Sequence, residues 1–390
     1  MKKKIAILGS TGSIGKSLLK IISKDKKKYQ IVLLTAKKNY KLLLHQAHKF
    51  NVRNIIIADS KNFELALKFK KKWNLNIFNN FENFHKIFNN KIDYTMSSIV
   101  GLDGLYPTFK IIKYTKKIAI ANKETIICAW NIISKELKLH KTEFIPVDSE
   151  HFSIWKLLKD NKKNNISKVY ITASGGPFLN LPKKNFGQIT PKKALKHPNW
   201  KMGKKISIDS SNMMNKILEY IEAKKIFNLR NNQIDILIHP LSFVHAVVFF
   251  NNDLIKFLAH ETKMTIPISN ALNGGNKKNN INFSNSLKKI LNLKFYVPSK
   301  SKFPLLKLLD LIPEKSSYFE TILITLNDGL VKKYLDDEIN YISLEKNLTN
   351  LIKKPYLTKF YKLKPSNIYD IRKMISITNA YLEKNYKYYE

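Results

Sequence analysis

The sequence is poor in cysteine, in acidic residues, in arginine and in long apolar runs. Its single cysteine, Cys128, excludes a disulfide within the chain and agrees with a reducing compartment. No apolar run reaches the roughly 20 residues that a membrane-spanning helix needs. The start, MKKKIAILG, resembles a signal peptide, but its apolar stretch is too short for one. We therefore expect a first β-strand and a cytoplasmic protein without a membrane attachment.

Basic residues greatly outnumber acidic ones, with 69 Lys and Arg against 29 Asp and Glu and a net charge of +40. Such a charge ordinarily suggests nucleic-acid binding. However, only Arg53, Arg230 and Arg372 carry the guanidinium group preferred for bidentate phosphate and guanine contacts, and the lysines are spread along the whole chain. We interpret the charge as drift of solvated positions toward lysine, and we expect no specific nucleic-acid partner.

The hydrophobic pattern predicts an α/β fold. Over the first 130 residues, short apolar runs alternate with helical patterns, which is typical of a parallel sheet. The predicted strands are residues 5–8, 31–36, 55–58, 94–99 and 117–120, and the predicted helices are residues 17–22, 41–50 and 63–73. Strand-like VYITAS and IDILIHP follow, and three amphipathic helices are predicted after residue 314, the last starting near residues 365–367.

This pattern predicts a nucleotide-binding domain at residues 1–147, a catalytic α/β domain at 148–285, a linker at 286–312 and a helical domain at 313–390. The polar stretch NGGNKKNNINFSNS, residues 273–286, is predicted to be a surface connection.

Three evenly spaced glycines follow the first predicted strand, in GSTGSIGKS. Gly9, Gly12 and Gly15 form a variant of the dinucleotide-binding fingerprint, in which backbone N–H groups approach a pyrophosphate at a helix start. About twenty residues later, where NAD-binding domains place an acidic residue, the chain has Lys37 and Lys38. Cations suit a 2′-phosphate, so we expect NADPH; the alternative is that these are two more lysines in a lysine-rich chain.

Two carboxylates lie close together in FIPVDSEH. If this segment is a strand, the spacing of two places Asp148 and Glu150 on one side of it. Hard oxygen ligands of this kind suit Mg²⁺ or Mn²⁺. The alternative is an exposed strand end followed by a helix cap.

The segment SIDSSNMMNKILEYIEAKKIF predicts one helix with a buried stripe that starts at Met214 and repeats at the spacing i, i+3, i+4, i+7. Its opposite face carries Asn215, Lys216 and Glu219. One interpretation is that Lys216 and Glu219 form an ion pair at the protein surface. Ser210, Ser211 and Asn212 stand at the predicted start of the helix, where they suit capping. Together these groups also suit a phosphorylated polyol, with Glu219 as a third metal ligand.

One histidine differs from the others in its setting. His197 opens HPNWKMG, a polar and aromatic segment that is typical of a lid over a binding site. Trp200 in this segment suits covering a substrate and excluding water.

Taken in order, the motifs GSTGSIG, IANKE, VDSEH, SGGPF, HPNWKMGKKISIDSSNMMNK and LEYIEA closely resemble the 1-deoxy-D-xylulose 5-phosphate reductoisomerase family, over essentially the whole chain. The resemblance implies a Rossmann-like NADPH-binding domain, a central α/β catalytic domain and a C-terminal α-helical domain. It implies isomerisation of 1-deoxy-D-xylulose 5-phosphate and reduction to 2-C-methyl-D-erythritol 4-phosphate, in non-mevalonate isoprenoid biosynthesis. It also implies a homodimer that uses NADPH and Mg²⁺, Mn²⁺ or Co²⁺.

The same resemblance implies roles for particular residues. The metal ligands are Asp148, Glu150 and Glu219. The catalytic residues are these three with Lys123 and His197. Substrate contacts fall on Ser149, Glu150, Ser174, His197, Trp200, Met202, Ser210, Asn215, Lys216 and Glu219, of which Trp200 and Met202 belong to a mobile lid. Cofactor contacts fall on Thr11, Gly12, Ser13, Ile14, Lys37, Lys38, Asn39, Asn122, Glu124 and Gly203.

The chain departs from the family pattern in places. Lys37 replaces a glycine, and HETKMTIPI, residues 260–268, replaces GEPDMR-x-PI, so we expect local salt bridges to be lost there. Two alternatives stay open. One is another NADP-dependent dehydrogenase, which needs a catalytic cysteine or another carbonyl-binding site; Cys128 lies in apolar IICAW and is predicted to be core. The other is a non-enzymatic polyanion-binding protein.

Overall fold

The structure, a computed structural model, describes residues 1–159, 166–200, 202–274 and 283–389. Within these ranges the chain forms two units. The first unit comprises residues 1–125, 131–152 and 264–274, and the second comprises 126–130, 153–159, 166–200, 202–263 and 283–389. Among the described residues, no helix has the length and apolar character needed to cross a membrane.

A seven-stranded parallel sheet forms the core of the first unit, with the strand order β4-β3-β2-β1-β5-β6-β7. The side chains of Ile5, Ile7 and Leu8 are completely buried, as expected for a strand covered on both faces. The predicted strands are confirmed, and β4 is an addition. The strands are β1 (Lys3–Leu8), β2 (Tyr29–Ala36), β3 (Asn54–Ile57), β4 (Asn76–Phe78), β5 (Tyr94–Ser97), β6 (Lys117–Ile120) and β7 (Glu143–Pro146).

Helices follow these strands, as in other parallel α/β sheets. They are α1 (Ser13–Ser23), α2 (Tyr40–Phe50), α3 (Ser60–Leu67), α4 (Phe84–Ile87), α5 (Leu105–Ile111), α6 (Lys123–Leu139) and α7 (Ser149–Leu157), and the chain returns to this unit with α11 (Thr265–Asn273), which packs against α1. The predicted helix 63–73 is wrong beyond Leu67. The N–H groups of Phe69 and Lys70 bond to carbonyls three residues back, which ends the α-helix in tighter turns.

The second unit has a mixed sheet of four strands in the order β11-β10-β8-β9. These are β8 (Ile166–Ala173), β9 (Ile234–Ile238), β10 (Val244–Phe250) and β11 (Ile255–Ala259), of which β10 and β11 were not predicted. Strand β8 runs parallel to β9 and antiparallel to β10. The helices of this part are α8 (Pro191–Ala194), α9 (Lys204–Ser211), α10 (Met214–Phe227) and α12 (Phe283–Leu291).

The C-terminal part is helical, as predicted, with α13 (Phe319–Leu335), α14 (Tyr341–Leu351), α15 (Pro355–Thr358) and α16 (Ile368–Asn385). Asn367 caps α16 in a capping box with Asp370, which confirms the predicted helix start. The predicted linker contains most of α12 and a 3₁₀ helix, Pro304–Leu311. Residues 275–282 of the predicted surface connection lie outside the described residues. In residues 260–268, which differ from the family pattern, Glu261 forms an ion pair with Lys289 at 2.6 Å.

A buried polar contact joins α9 to α13. Asn327 Nδ2 donates to Asp209 Oδ1 at 2.8 Å, and both side chains are almost inaccessible to solvent. Lys205 lies between two carboxylates, 3.1 Å from Asp209 and 3.0 Å from Asp328. A buried carboxylate needs such partners because it has lost its hydration. The helical part therefore fixes the position of α9.

Replacing Asn327 by alanine removes the amide donor to Asp209. We expect the free energy of unfolding to fall by about 1–3 kcal/mol, the cost of leaving a buried acceptor without its partner. Urea denaturation measures this change. The matched control is Asn350→Ala on α14, where the amide is exposed, and we expect a change within about 0.5 kcal/mol. Equal losses in the two variants would contradict the structural role of the buried contact.

Candidate functional site

The glycine turn lies between β1 and α1, as the sequence predicts. Gly9 has φ +81°, and a Cβ there would lie 2.8 Å from the carbonyl oxygen of Ser98. A Cβ on Gly15 would lie 2.5 Å from the carbonyl oxygen of Gly9. Gly12 caps α1 without a side-chain hydrogen bond, and the first turn contains no acidic residue. The start of α1 therefore presents backbone N–H groups, with the positive end of the helix dipole, to an anion.

Polar residues after β2 flank this turn. Thr35 fixes the turn to β2, because its hydroxyl oxygen accepts the N–H of Gly9 and its carbonyl accepts the N–H of Ser10, both at 2.9 Å. Asn39 caps α2 by accepting the N–H of Leu42 at 3.2 Å. The predicted cofactor residues Thr11, Gly12, Ser13 and Ile14 occupy the turn and the start of α1, and Lys37, Lys38 and Asn39 follow β2 directly.

A lysine and an aspartate pair at the neighbouring strand ends. Lys123 is the first residue of α6, after β6, and its Nζ lies 2.9 Å from Asp148 Oδ2, after β7. Both side chains are largely buried, at 11% and 19% exposure, so the pair is screened less than a surface ion pair. Asn122 caps α6 through the N–H of Thr125, and the carboxyl group of Glu124 lies in the first helical turn.

The predicted strand placement of Asp148 and Glu150 is wrong. Strand β7 ends at Pro146, and the carbonyl of Asp148 accepts the N–H of Phe152 at 2.8 Å, so the chain turns into helix α7 here. Glu150 lies in the first turn of that helix, where a negative charge is favourable. The alternation of side chains along a strand therefore does not apply. Ser149 instead orients both carboxylates: its N–H donates to Asp148 Oδ1 at 2.9 Å and its hydroxyl to Glu150 Oε2 at 2.6 Å.

In the second unit, the helix predicted to start near residues 210–212 begins at Met214 as α10, and α9, which was not predicted, precedes it. Met213 has φ +67°, which breaks the segment between α9 and α10. Ser210 and Ser211 therefore lie at the end of α9, and their predicted capping role at a helix start is wrong; Ser211 donates to the carbonyl of Ile208 at 2.7 Å. Asn212 does accept the N–H of Met214, at 3.1 Å. The glycine turn of SGGPF packs here, since a Cβ on Gly176 would lie 2.6 Å from the carbonyl oxygen of Ser210.

The predicted surface pair on α10 is buried. The side chains of Lys216 and Glu219 are 6% and 3% exposed, so this is not a solvated ion pair. Asn215 Nδ2 donates to Oε1 of Glu219, and Lys216 Nζ contacts Oε2. Both carboxylate oxygens are thus held by residues of the same helix. A buried charged pair costs hydration free energy, which points to a functional reason for its presence.

His197 has a defined protonation state. Its Nδ1 accepts the N–H groups of Asn199 and Trp200 at 3.1 and 3.0 Å. Burial, with a further contribution from Lys216, lowers the pKa of His197 to about 4, so the ring is neutral near pH 7. The single ring proton is then on Nε2, which lies 3.1 Å from Ser174 Oγ. Because Ser174 Oγ also accepts the N–H of Gly176, its hydroxyl proton is available to a ligand.

Asn199 is a residue that the sequence analysis did not single out. Its amide donates to the carbonyl of Pro240 at 2.7 Å and to Ser242 Oγ at 2.9 Å, which ties the HPNW segment to the loop after β9. Trp200 packs edge-on against His245, with ring centroids 6.2 Å apart. No local pattern pairs Asn199 with residues some forty positions away. Met202 is half-buried and Gly203 caps α9.

Family models match most of the chain. The model described as 1-deoxy-D-xylulose 5-phosphate reductoisomerase matches residues 5–130, that of its C-terminal domain matches residues 144–227, and a DXP reductoisomerase C-terminal domain model matches residues 260–380. A 1-deoxy-D-xylulose 5-phosphate reductoisomerase of Pelagibacter ubique is 53% identical over 374 residues, 95% of this chain and 96% of the relative. The chain belongs to this family.

Other relatives and solved structures support the same family assignment. The reductoisomerase of Wolbachia pipientis wMel is 38% identical over 88% of each chain. Among solved structures, the Zymomonas mobilis reductoisomerase in complex with NADPH is 27% identical, with a TM-score of 0.87 over 98% of this chain and 99% of that one. A reductoisomerase in complex with NADPH, fosmidomycin and magnesium is 29% identical, with the same TM-score over 98% and 97%. The predicted Rossmann-like and helical parts of the fold are therefore confirmed.

The pKa of His197 makes stability depend on pH. Because the folded-state pKa of about 4 lies below the ordinary 6.5, only the unfolded chain takes up this proton between those values. The contribution of His197 to stability is present above pH 6.5 and is lost as the pH falls toward 4. His197→Asn keeps an acceptor for the two N–H groups but does not titrate. Between about pH 7 and about pH 5, we expect urea denaturation to show a larger loss of stability in the wild type than in the variant. Identical losses would contradict the assignment.

Proposed function

We propose that this chain catalyses the isomerisation of 1-deoxy-D-xylulose 5-phosphate and the NADPH-dependent reduction of the product to 2-C-methyl-D-erythritol 4-phosphate, in non-mevalonate isoprenoid biosynthesis. The observation that carries the proposal is the 53% identity to a reductoisomerase over 95% of the chain. The polar groups described above support it, because they fit a nucleotide, a divalent cation and a phosphorylated sugar.

The first unit fits NADPH. No side chain caps the start of α1, so its N–H groups are available to the pyrophosphate. At Gly9 and Gly15 the neighbouring backbone lies too close for a side chain. Lys37, Lys38 and Asn39 stand where the adenosine 2′-phosphate binds in folds of this type. In this proposal Thr11, Gly12, Ser13 and Ile14 line the turn, and Asn122, Glu124 and Gly203 are further cofactor-binding residues. NADPH, when bound, supplies the hydride.

Three carboxylates fit a divalent cation. We assign Asp148, Glu150 and Glu219 as the metal ligands in this proposal, because carboxylate oxygens are the ligands preferred by Mg²⁺ and Mn²⁺. Ser149 orients Glu150, and Asn215 and Lys216 orient Glu219, as supporting residues commonly do at metal sites. A bound Mg²⁺, Mn²⁺ or Co²⁺ supplies Lewis-acid stabilisation of negative charge on the substrate oxygens.

Neutral and cationic donors of the second unit fit the substrate phosphate and hydroxyl groups. We assign this role to Ser174, His197, Ser210, Asn215 and Lys216. The neutral ring of His197 donates its Nε2–H to Ser174 Oγ, which leaves the hydroxyl proton of Ser174 free to donate to the substrate. Trp200 and Met202, in this proposal, belong to a lid that excludes water. Lys123, held by Asp148, contacts the substrate backbone with Ser149 and is positioned to donate to an oxygen that becomes negative.

The alternatives have less support. A dehydrogenase that uses a catalytic cysteine needs an accessible thiol, whereas Cys128 is buried at 3% exposure. A polyanion-binding protein needs no buried carboxylates beside its cationic groups, and Glu219 lies beside Lys216.

We further propose a homodimer in the cytoplasm. The edge strand β11 supports the dimer, because Ile255 and Phe257 are 57% and 51% exposed, more than an isolated edge strand usually tolerates. The single buried cysteine is compatible with a reducing compartment. Sedimentation equilibrium is expected to give twice the chain mass, and Phe257→Lys is expected to shift it to the monomer mass. A monomeric wild type would contradict the dimer.

The direct test of the proposed function is the loss of NADPH absorbance with 1-deoxy-D-xylulose 5-phosphate, in the presence and absence of Mg²⁺ or Mn²⁺. We expect oxidation of NADPH only when substrate and metal are both present. Folded protein that binds NADPH but does not turn over under these conditions would contradict the proposal.

Glu219→Gln isolates the role of the buried carboxylate. The change keeps the side-chain shape but removes the charge that suits a metal, so we expect a loss of at least about a hundredfold in kcat/KM with nearly unchanged NADPH affinity. The control, Glu143→Gln, removes an exposed carboxylate that pairs with Lys117 and is expected to retain full activity. Unchanged turnover in Glu219→Gln would remove Glu219 from the metal site.

A further inference from the structure

An ion pair connects the two sides of the glycine turn in the first unit. Lys37 Nζ lies 2.6 Å from Asp103 Oδ2, and the two side chains are 61% and 63% exposed. Lys37 follows β2, and Asp103 follows β5. In the sheet, β2 and β5 are the two neighbours of β1, which leads into the glycine turn. The ion pair therefore reaches across the turn that fits the pyrophosphate.

The position of Asp103 is fixed by its loop. Gly101 has φ +71°, and its carbonyl accepts from Asn122 Nδ2 at 2.6 Å. The same amide donates to the carbonyl of Ile99. A Cβ on Gly104 would lie 2.4 Å from the Asn122 amide nitrogen, so the loop packs closely on this side chain. Both amide hydrogens of Asn122 are thus used to hold the loop that presents Asp103.

A second carboxylate near Lys37, that of Asp59, forms hydrogen bonds with other groups. Asp59 caps α3, and its Oδ1 accepts from the N–H and the side-chain amide of Asn62 at 3.0 and 2.7 Å. These hydrogen bonds, with smaller contributions from Lys38 and Lys37, lower the pKa of Asp59. Among the ion pairs in the described part of the chain, Lys37 has Asp103 as its partner. Lys37, which stands where the family has a glycine, is therefore already paired with a carboxylate of the same unit.

We propose that Asp103 competes with the 2′-phosphate of NADPH for Lys37, and that it thereby lowers the preference of this chain for NADPH over NADH. This inference rests on the proposed placement of the adenosine end beside Lys37 and Lys38. The ammonium group of Lys37 is less available to the 2′-phosphate because it is paired with Asp103. Binding of NADPH therefore requires that this ion pair is broken. NADH has no 2′-phosphate, so its binding leaves the pair intact.

The size of the effect follows from the exposure of the pair. Exposed ion pairs contribute about 0.2–1 kcal/mol, which corresponds to a change in Kd of up to about fivefold. The Debye length is about 10 Å at 0.1 M salt, so the effect decreases as the ionic strength rises.

The test is the Kd of NADPH and of NADH, measured by fluorescence titration without substrate. Asp103→Asn keeps the side-chain shape, and we expect NADPH to bind about two- to fivefold more tightly with NADH unchanged. The matched control is Asp93→Asn, which removes the same charge before β5, at the opposite edge of the sheet, where Asp93 pairs with Lys116 at 2.9 Å. We expect no change in either Kd for this control.

A double variant separates competition from a general change in charge. In Lys37→Gln, Asp103→Asn is expected to give no further gain, because the cation in dispute is absent. A gain that persists in the double variant, or an unchanged Kd for NADPH in Asp103→Asn, would overturn the inference.

Lys38→Gln distinguishes failure of the competition by Asp103 from failure of the proposed function. If Lys38→Gln weakens NADPH binding while Asp103→Asn has no effect, the adenosine end is placed correctly and only the competition is wrong. If Lys37→Gln, Lys38→Gln and Asp103→Asn all leave the Kd of NADPH unchanged, the placement itself is wrong and the inference fails with it.

Discussion

The parallel pairing of the seven strands in the first unit determines where its chemistry lies. In a parallel sheet the carboxyl ends of all strands lie at one edge, so the turns after β1, β2, β5, β6 and β7 are neighbours. The glycine turn, Lys37, Asp103, Lys123 and Asp148 each follow one of these strands. Lys37 and Asp103, and likewise Lys123 and Asp148, thus meet because strand order, and not local sequence, brings them together.

Two buried lysines of this lysine-rich chain contact proposed metal ligands. With 69 basic residues, the presence of a lysine carries little information. The side chain of Lys216 is 6% exposed and that of Lys123 is 11% exposed, and each contacts a carboxylate of the proposed metal site. Lysine is costly to desolvate, so each of these buried lysines needs its carboxylate partner.

Much of the fold followed from the sequence, and the errors have local physical causes. Periodicity predicted the strands of the first sheet because they are buried on both faces. It placed Asp148 and Glu150 on a strand because they directly follow the apolar run FIPV, whereas the strand ends at Pro146 and helix α7 starts at Ser149. It did not predict α9, which the left-handed residue Met213 separates from α10. Asn199 and Asn327 act through contacts distant in sequence, which no single-sequence pattern encodes.

We propose above that the carboxylates of Asp148, Glu150 and Glu219 hold one divalent cation. Titration with Mn²⁺, followed by electron paramagnetic resonance of the free ion, tests it without substrate or cofactor. We expect one Mn²⁺ per chain, and a large loss of affinity when either Asp148→Asn or Glu219→Gln is introduced alone, since each removes one ligand of the same ion. Wild-type Mn²⁺ affinity in Glu219→Gln would show that Glu219 is not a ligand and would contradict the proposed metal site.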